Sequence, residues 1–197
     1  SAPAEAAGIP VVAMDYNDFS DYLKWFKVFC NLNGQPELWD TVAMPALDRV
    51  VDILCRIPEE QENPPKVFAM FSATKDNITA NTSNTVLGGM ISEMGAVNIS
   101  DADNASDADR IEINMESVYA ADPDLIVVQC HASKADDAAQ LERVYGENAV
   151  WQSLRAVREG KVYFLEPHLF HYKPNSRFAD AYLQLAQILY PDIDFEN

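Results

Sequence analysis

The residues able to do chemistry in this chain are few, and most lie in its second half. The sequence holds three histidines: His131 directly after an apolar run, and His168 and His171 in the aromatic segment Glu166 to Ser176, EPHLFHYKPNS, beside Tyr172 and Lys173. An imidazole binds iron or the polar edge of a ligand, so these are binding candidates. His131 also has a plainer reading, as an exposed loop histidine. The three cysteines, Cys30, Cys55 and Cys130, show no CxxC or Cys/His spacing. At most one pair can bridge, which supports neither a disulfide framework nor a zinc module. Asp101, Asp103, Asp107, Asp109 and Glu112 match positions 1, 3, 7, 9 and 12 of a calcium-loop count, but Ala105 and Ser106 stand where that loop needs a ligand and a glycine. The stretch reads as a solvated acidic loop. Asn77, Asn81, Asn98 and Asn104 open N-x-S/T triplets and read as polar loop residues. Gly88-Gly89 lies in a helical pattern with no phosphate-loop lysine. No serine, cysteine or carboxylate pair has a recognisable base partner, so no enzyme is expected.

Elements must position these groups, and residues 111–129, IEINMESVYAADPDLIVVQ, show how. Asn114 is a natural N-cap, with Glu116 in the first turn where a carboxylate suits the helix dipole. Asp122-Pro123-Asp124 stops that helix. Leu125 to Val128 is an unbroken apolar run, the pattern of a strand buried on both faces. Similar strands are read at 67–71 and 161–165, with helices near 84–94, 135–145, 151–157 and 177–189 between and after them. Strands alternating with helices argue for an α/β fold, a three-layer lobe around a central, mostly parallel sheet. Before it, Gly8 to Met14 reads as a short strand, Asn17 or Asp18 as the cap of a helix running to about Asn31 and closed by Gly34, and a second helix starts near Pro36, kinked or split at Pro45. Residues 72–83 read as a polar loop. Ligands of open α/β sheets sit beyond the carboxyl ends of the strands. That rule selects Ser72, Ala73 and Thr74, Cys130 and His131, and the 166–173 loop.

The totals narrow the function. With 14 Lys and Arg against 31 Asp and Glu, the formal charge is −17, which repels phosphate backbones and makes nucleic acid an unsuitable partner. No apolar run reaches the ~20 residues needed to span a bilayer. The opening SAPAEAAGIPVV has neither the basic nor the apolar region of a signal peptide and reads as the tail of a linker.

Four stretches in one order resemble the periplasmic substrate-binding proteins of ABC importers for iron-siderophores, haem and cobalamin. Glu116 to Val128, ESVYAADPDLIVV, is similar to that family's "E, helix, PD, buried strand" signature, and Trp151 to Tyr163, WQSLRAVREGKVY, to its "W, L, AV, GKVY" segment. Met94 to Ile99, MGAVNI, is similar to its turn after a helix, and Ala181 to Pro191, AYLQLAQILYP, to its closing helix. The resemblance implies two α/β lobes joined by a long interlobe helix. Residues 1–16 would then be the last strand of a truncated first lobe, 17–60 the connecting helices, 61–176 the C-terminal lobe and 177–197 the closing helix and tail.

It further implies capture of a metal chelate (siderophore, haem or corrinoid) and delivery to an ABC permease, in the periplasm or on a lipid-anchored extracytoplasmic face. No resident cofactor or metal is expected. Ser72, Thr74, His131, His168, Tyr172 and Lys173 are the expected ligand-binding residues; the last three, with His171, equally suit a stacked hinge against the first lobe. Glu116 is the expected permease-docking residue, alongside its role at the helix dipole. Without most of the first lobe, the helices at 18–57 and 177–189 would expose apolar surface, and a homodimer is expected to cover it. The alternative is a stand-alone interaction or sensor domain of the same fold with no cargo.

Overall fold

The computed structural model describes residues 2–12 and 14–195, with Ala2 described by its backbone alone. Its centre is β1 (Lys66–Ser72) and β5 (Leu125–Cys130), paired in parallel from Val67↔Leu125 to Ser72↔Cys130. β6 (Val162–Leu165) continues the parallel sheet beyond β5. The other side of β1 is shared: β3 (Val97–Asn98) runs parallel to its start, and β2 (Ile78–Asn81) runs antiparallel to its end. β4 (Arg110–Ile111) closes that edge antiparallel to β2, for an order β4-β2-β1-β5-β6.

The period-2 geometry of a strand divides the apolar runs between two cores. Val67, Ala69, Leu125 and Val127 join one cluster, against α2 (Phe19–Leu32), α3 (Met44–Arg56), α4 (Val86–Glu93) and α10 (Phe178–Leu189). Phe68, Met70, Ile126 and Val128 join the other, against α5 (Met115–Ala121), α6 (Lys134–Tyr145), α7 (Ala149–Ser153) and α8 (Arg155–Arg158). Both faces are covered, which is why β5 can be apolar at nearly every position and still be buried at each one. This is the three-layer arrangement expected of the alternating pattern.

The helix starts follow their caps. Asp18 accepts from the Asp21 N–H on α2, Thr85 from Gly88 on α4, and Asn114 from Glu116 and Ser117 on α5. Asp122 ends α5 in the left-handed conformation. The connecting stretch divides at two places. Gly34, at φ 65°, turns the chain after α2. A π-helical turn over Trp39–Ala43 then leads into α3, whose first turn holds Pro45, where its missing N–H breaks no bond. An aromatic cluster ties this region to the last helix, with Phe178 at 4.9 Å from Phe19 and 5.3 Å from Tyr22 between ring centroids.

Three segments differ from expectation. The extended run at Gly8 to Met14 is not a strand among its described residues: no neighbouring strand takes its backbone groups, and Ile9, Val11, Val12 and Met14 are exposed. A short helix α1 (Ala2–Ala6) precedes it. Residues 72–83, read as a loop, hold a hairpin: Lys75 and Asp76, at φ 62° and 57°, make the two-residue turn whose twist suits paired strands. The 166–176 loop likewise contains α9 (Pro167–Phe170) and a 3₁₀ turn at Asn175–Arg177.

Candidate functional site

The carboxyl ends of β1 and β5 bring together five side chains from four segments. Phe71, next to last on β1, stacks on His171 with ring centroids 5.6 Å apart and planes 14° from parallel. His131, just past β5, tilts against the same ring at 4.6 Å. Tyr172 meets His171 edge-on at 4.7 Å and is 65% exposed. The Arg110 guanidinium from β4 also lies over Phe71, 4.2 Å from the ring centroid. The result is a small aromatic and cationic patch on a strongly acidic protein.

A relay, buried from Asn81 inward, holds the patch from below. Arg110 Nε donates to Asn81 Oδ1 at 3.0 Å; Asn81 Nδ2 donates to Gln129 Oε1 at 2.8 Å; Gln129 Nε2 donates to the Phe170 carbonyl at 2.7 Å. Asn98 Nδ2 adds a bond to the Asn81 carbonyl at 2.9 Å. The relay crosses the sheet from β4 to α9 and sets the orientation of both amides. In such a low-dielectric position each bond supports the next. Arg110 is exposed as a residue, but partial desolvation of its guanidinium over Phe71 lowers its pKa. Burial lowers that of His171 too, with the positive fields of His131 and Arg110 acting in the same direction and Asp137 opposing them. His171 is therefore a neutral imidazole at pH 7, with a lone pair to offer.

Other candidates fall elsewhere. Ser72 is completely buried, its hydroxyl shut in beneath the edge with no partner, so a ligand does not reach it in this conformation. Thr74 opens the hairpin turn, which Asp76 anchors to Arg143 of α6. His168 is exposed on α9, and among the described residues no ring contact or hydrogen bond joins it to the patch. The Lys173 ammonium is directed away from the patch, toward Asp15 and Tyr16. Glu116 is exposed at the start of α5, on a different part of the surface. Among the described residues no group of three or more His, Cys, Asp or Glu is arranged to hold a bare metal ion. A cavity of about 560 Å³ opens at the amino ends of the strands, but there Arg155 is already paired with Asp122 and Asp124, and Lys161 with Glu159.

Sequence reasoning missed Arg110 and Phe71. The available signal was that Arg110 is the only Lys or Arg between Lys75 and Lys134, placed where an alternating R-I-E-I segment can form a strand.

Comparison with known proteins gives this arrangement its context. The model of the family described as "Periplasmic binding protein" matches residues 3–169, and the chain belongs to that family. Among curated relatives, the high-affinity heme uptake system protein IsdE of Staphylococcus aureus is 24% identical over 133 residues, 68% of this chain and 44% of its own. The putative ABC transporter substrate-binding lipoprotein YhfQ of Bacillus subtilis is 27% identical over 121 residues, 58% of this chain and 37% of its own. The chain thus spans less than half the length of these relatives. Among solved structures, S. aureus IsdE complexed with heme superposes with a TM-score of 0.80 at 18% identity, over 95% of this chain and 70% of that one. An ABC transporter substrate-binding protein from Listeria monocytogenes gives 0.80 at 16%, over 97% and 72%. At these identities the superpositions establish the fold.

Proposed function

We propose that this chain is the substrate-binding component of an ABC importer, and that it captures an anionic metal chelate at the Phe71–Arg110–His131–His171–Tyr172 edge. The observation that carries the reading is the pairing of a stacked guanidinium with two imidazoles at the carboxyl ends of parallel strands. Arg110 suits a carboxylate or catecholate oxygen, the rings of Phe71 and Tyr172 suit a flat organic face, and His131 or neutral His171 suits an open position on a metal already held by its chelator. Haem, a ferric siderophore and cobalamin all present some of these features. The name of one relative, the heme uptake system protein IsdE, agrees with such a cargo. Its chemistry is binding and release, not catalysis. On this reading residues 61–176 form the ligand-binding lobe, with α2 and α3 as the connecting helices and α10 as the closing helix. Glu116, exposed at the α5 N-terminus, is proposed to dock to basic residues of a permease on the outer face of the membrane.

The test is native mass spectrometry with absorption titration against hemin, a ferric hydroxamate, a ferric catecholate and cobalamin. Binding of one class, weakened at least tenfold by Arg110→Leu and by His131→Ala, is expected. Failure of all four to bind would favour an interaction or sensor domain of the same fold.

A further inference from the structure

The arm that precedes α2 is fastened to the loop that carries His171 and Tyr172. The Lys173 ammonium donates to the Tyr16 carbonyl, lies 3.5 Å from Asp15 Oδ1, and sits 4.1 Å from the centroid of the Tyr16 ring. Tyr16 Oη donates to Asn175 Oδ1 at 2.9 Å. The gripped residues are themselves fixed: Trp25 of α2 donates to the Asp15 carbonyl at 2.9 Å, and the Tyr16 ring is buried against Tyr22 and Phe178.

The loop needs this fastening. Lys173 and Asn175 both lie in the left-handed region, at φ 60° and 52°. Asparagine visits it readily, whereas for lysine the carbonyl–Cβ contact makes it costly. That conformation is imposed two residues after His171, and it fixes the direction in which the chain leaves the ring cluster. The same short segment thus has the ligand-facing rings at one end and an anchored ammonium at the other.

We propose that Lys173 is a positioning residue, not a ligand contact: with Asp15 and Tyr16 it forms a latch that holds the 171–175 loop and keeps His171 against His131 and Phe71. This rests on the proposed function only in that the ring cluster is the ligand edge. A consequence is that displacement of the arm at residues 15–16 is transmitted to the site.

The test begins without ligand, by NMR titration of the His171 ring in wild type, Lys173→Met and Lys173→Arg. In the wild type, His171 titrates below the ordinary imidazole range and shows ring-to-ring cross-peaks with His131. In Lys173→Met the midpoint should rise toward the ordinary value and the cross-peaks should fade. Lys173→Arg, which keeps the cation on the Tyr16 ring and a donor for its carbonyl, should restore both. Asp15→Ala, at a position 84% exposed on its side chain, should give a smaller change in the same direction and serves if Lys173→Met does not fold. Chelate dissociation should then speed up roughly tenfold in Lys173→Met and by less than about threefold in Lys173→Arg. An unchanged His171 titration with intact cross-peaks in folded Lys173→Met would overturn the latch. So would faster dissociation with an undisturbed His171, which would make Lys173 a direct contact. A latch that responds as described in a protein binding none of the chelates would leave this inference standing and remove the proposed cargo.

Discussion

Gln129→Leu tests whether the relay beneath the patch is structural support for the site. Gln129 is 5% exposed and makes two short bonds, one from its amide to the Phe170 carbonyl and one accepted from Asn81. Leucine removes both. Asn81 Nδ2 then keeps only the distant Met70 carbonyl at 3.4 Å, and the Phe170 carbonyl loses its side-chain donor. Each buried group left short of a partner costs ~1–3 kcal/mol, and the leucine side chain returns ~1 kcal/mol of apolar burial. The expected net loss is about 1–5 kcal/mol. With a urea slope of about 2 kcal/mol per molar, the unfolding midpoint should fall by about 0.5–2.5 M. Asn81→Leu should cost a similar amount. The double variant should cost less than the two combined by about 1 kcal/mol, because the Asn81–Gln129 bond can be lost only once. Loosening Asn81 also frees Arg110, so affinity for an anionic chelate should drop together with stability. A midpoint within about 0.3 M of wild type, with affinity unchanged, would refute the claim that these bonds hold the edge.

Two neighbouring glycines should respond oppositely. A Cβ on Gly88 would lie 2.0 Å from the Thr82 carbonyl oxygen, so Gly88→Ala should destabilise by about 3 kcal/mol or more, whereas a Cβ on Gly89 meets nothing nearer than 3.6 Å and Gly89→Ala should gain about 0.5–1 kcal/mol in thermal unfolding. The Asp180 carboxyl is held below the ordinary range by its bond to Arg177 and, against some burial, by Arg49. A lowered folded pKa adds stability above the unfolded value of about 3.9 and loses it as pH falls through the folded one, so the stability gap between wild type and Asp180→Asn should close on acidification from about pH 5 to pH 3. Glu116→Ala should slow chelate uptake in cells carrying the importer while leaving chelate affinity unchanged; uptake at the wild-type rate would remove the docking role.

The parts legible in sequence were those fixed by local chemistry. The apolar run at Leu125 to Val128 can be buried only between two layers, and Asn114 with Asp122-Pro123 bounds α5 at both ends. The resemblance drew on the same stretches. β2 was hidden because I-T-A-N is short and half polar, and its turn uses Lys75-Asp76 where a glycine would have announced a hairpin. The expected strand at Gly8 to Met14 has the right residues, but a strand is defined by a partner, and among the described residues no strand pairs with it. For the site, the rule of strand ends selected His131 and the 166–173 loop, and the structure sets His131, His171 and Tyr172 in ring contact there. It could not say which side chains converge. Arg110 reaches Phe71 only because β4 pairs with β2, a contact between short strands that no local pattern encodes.

The two cores differ in how far apart along the chain their members lie. One is assembled from Phe68 to Phe164, whereas the other needs Tyr16 and Phe195 and is closed by α10 against α3, with Arg49 reaching Asp180 131 residues away. A chain emerging from its amino end can therefore complete one side of the sheet while the cover of Val67, Ala69 and Val127 on the other side, begun by α2, α3 and α4, still lacks α10. Joining such distant segments is slow, and the incompletely covered face is adhesive in the meantime. The final helix is thus the step that commits the molecule to its folded form, and the interval before it arrives is when a nascent chain most needs protection from its neighbours.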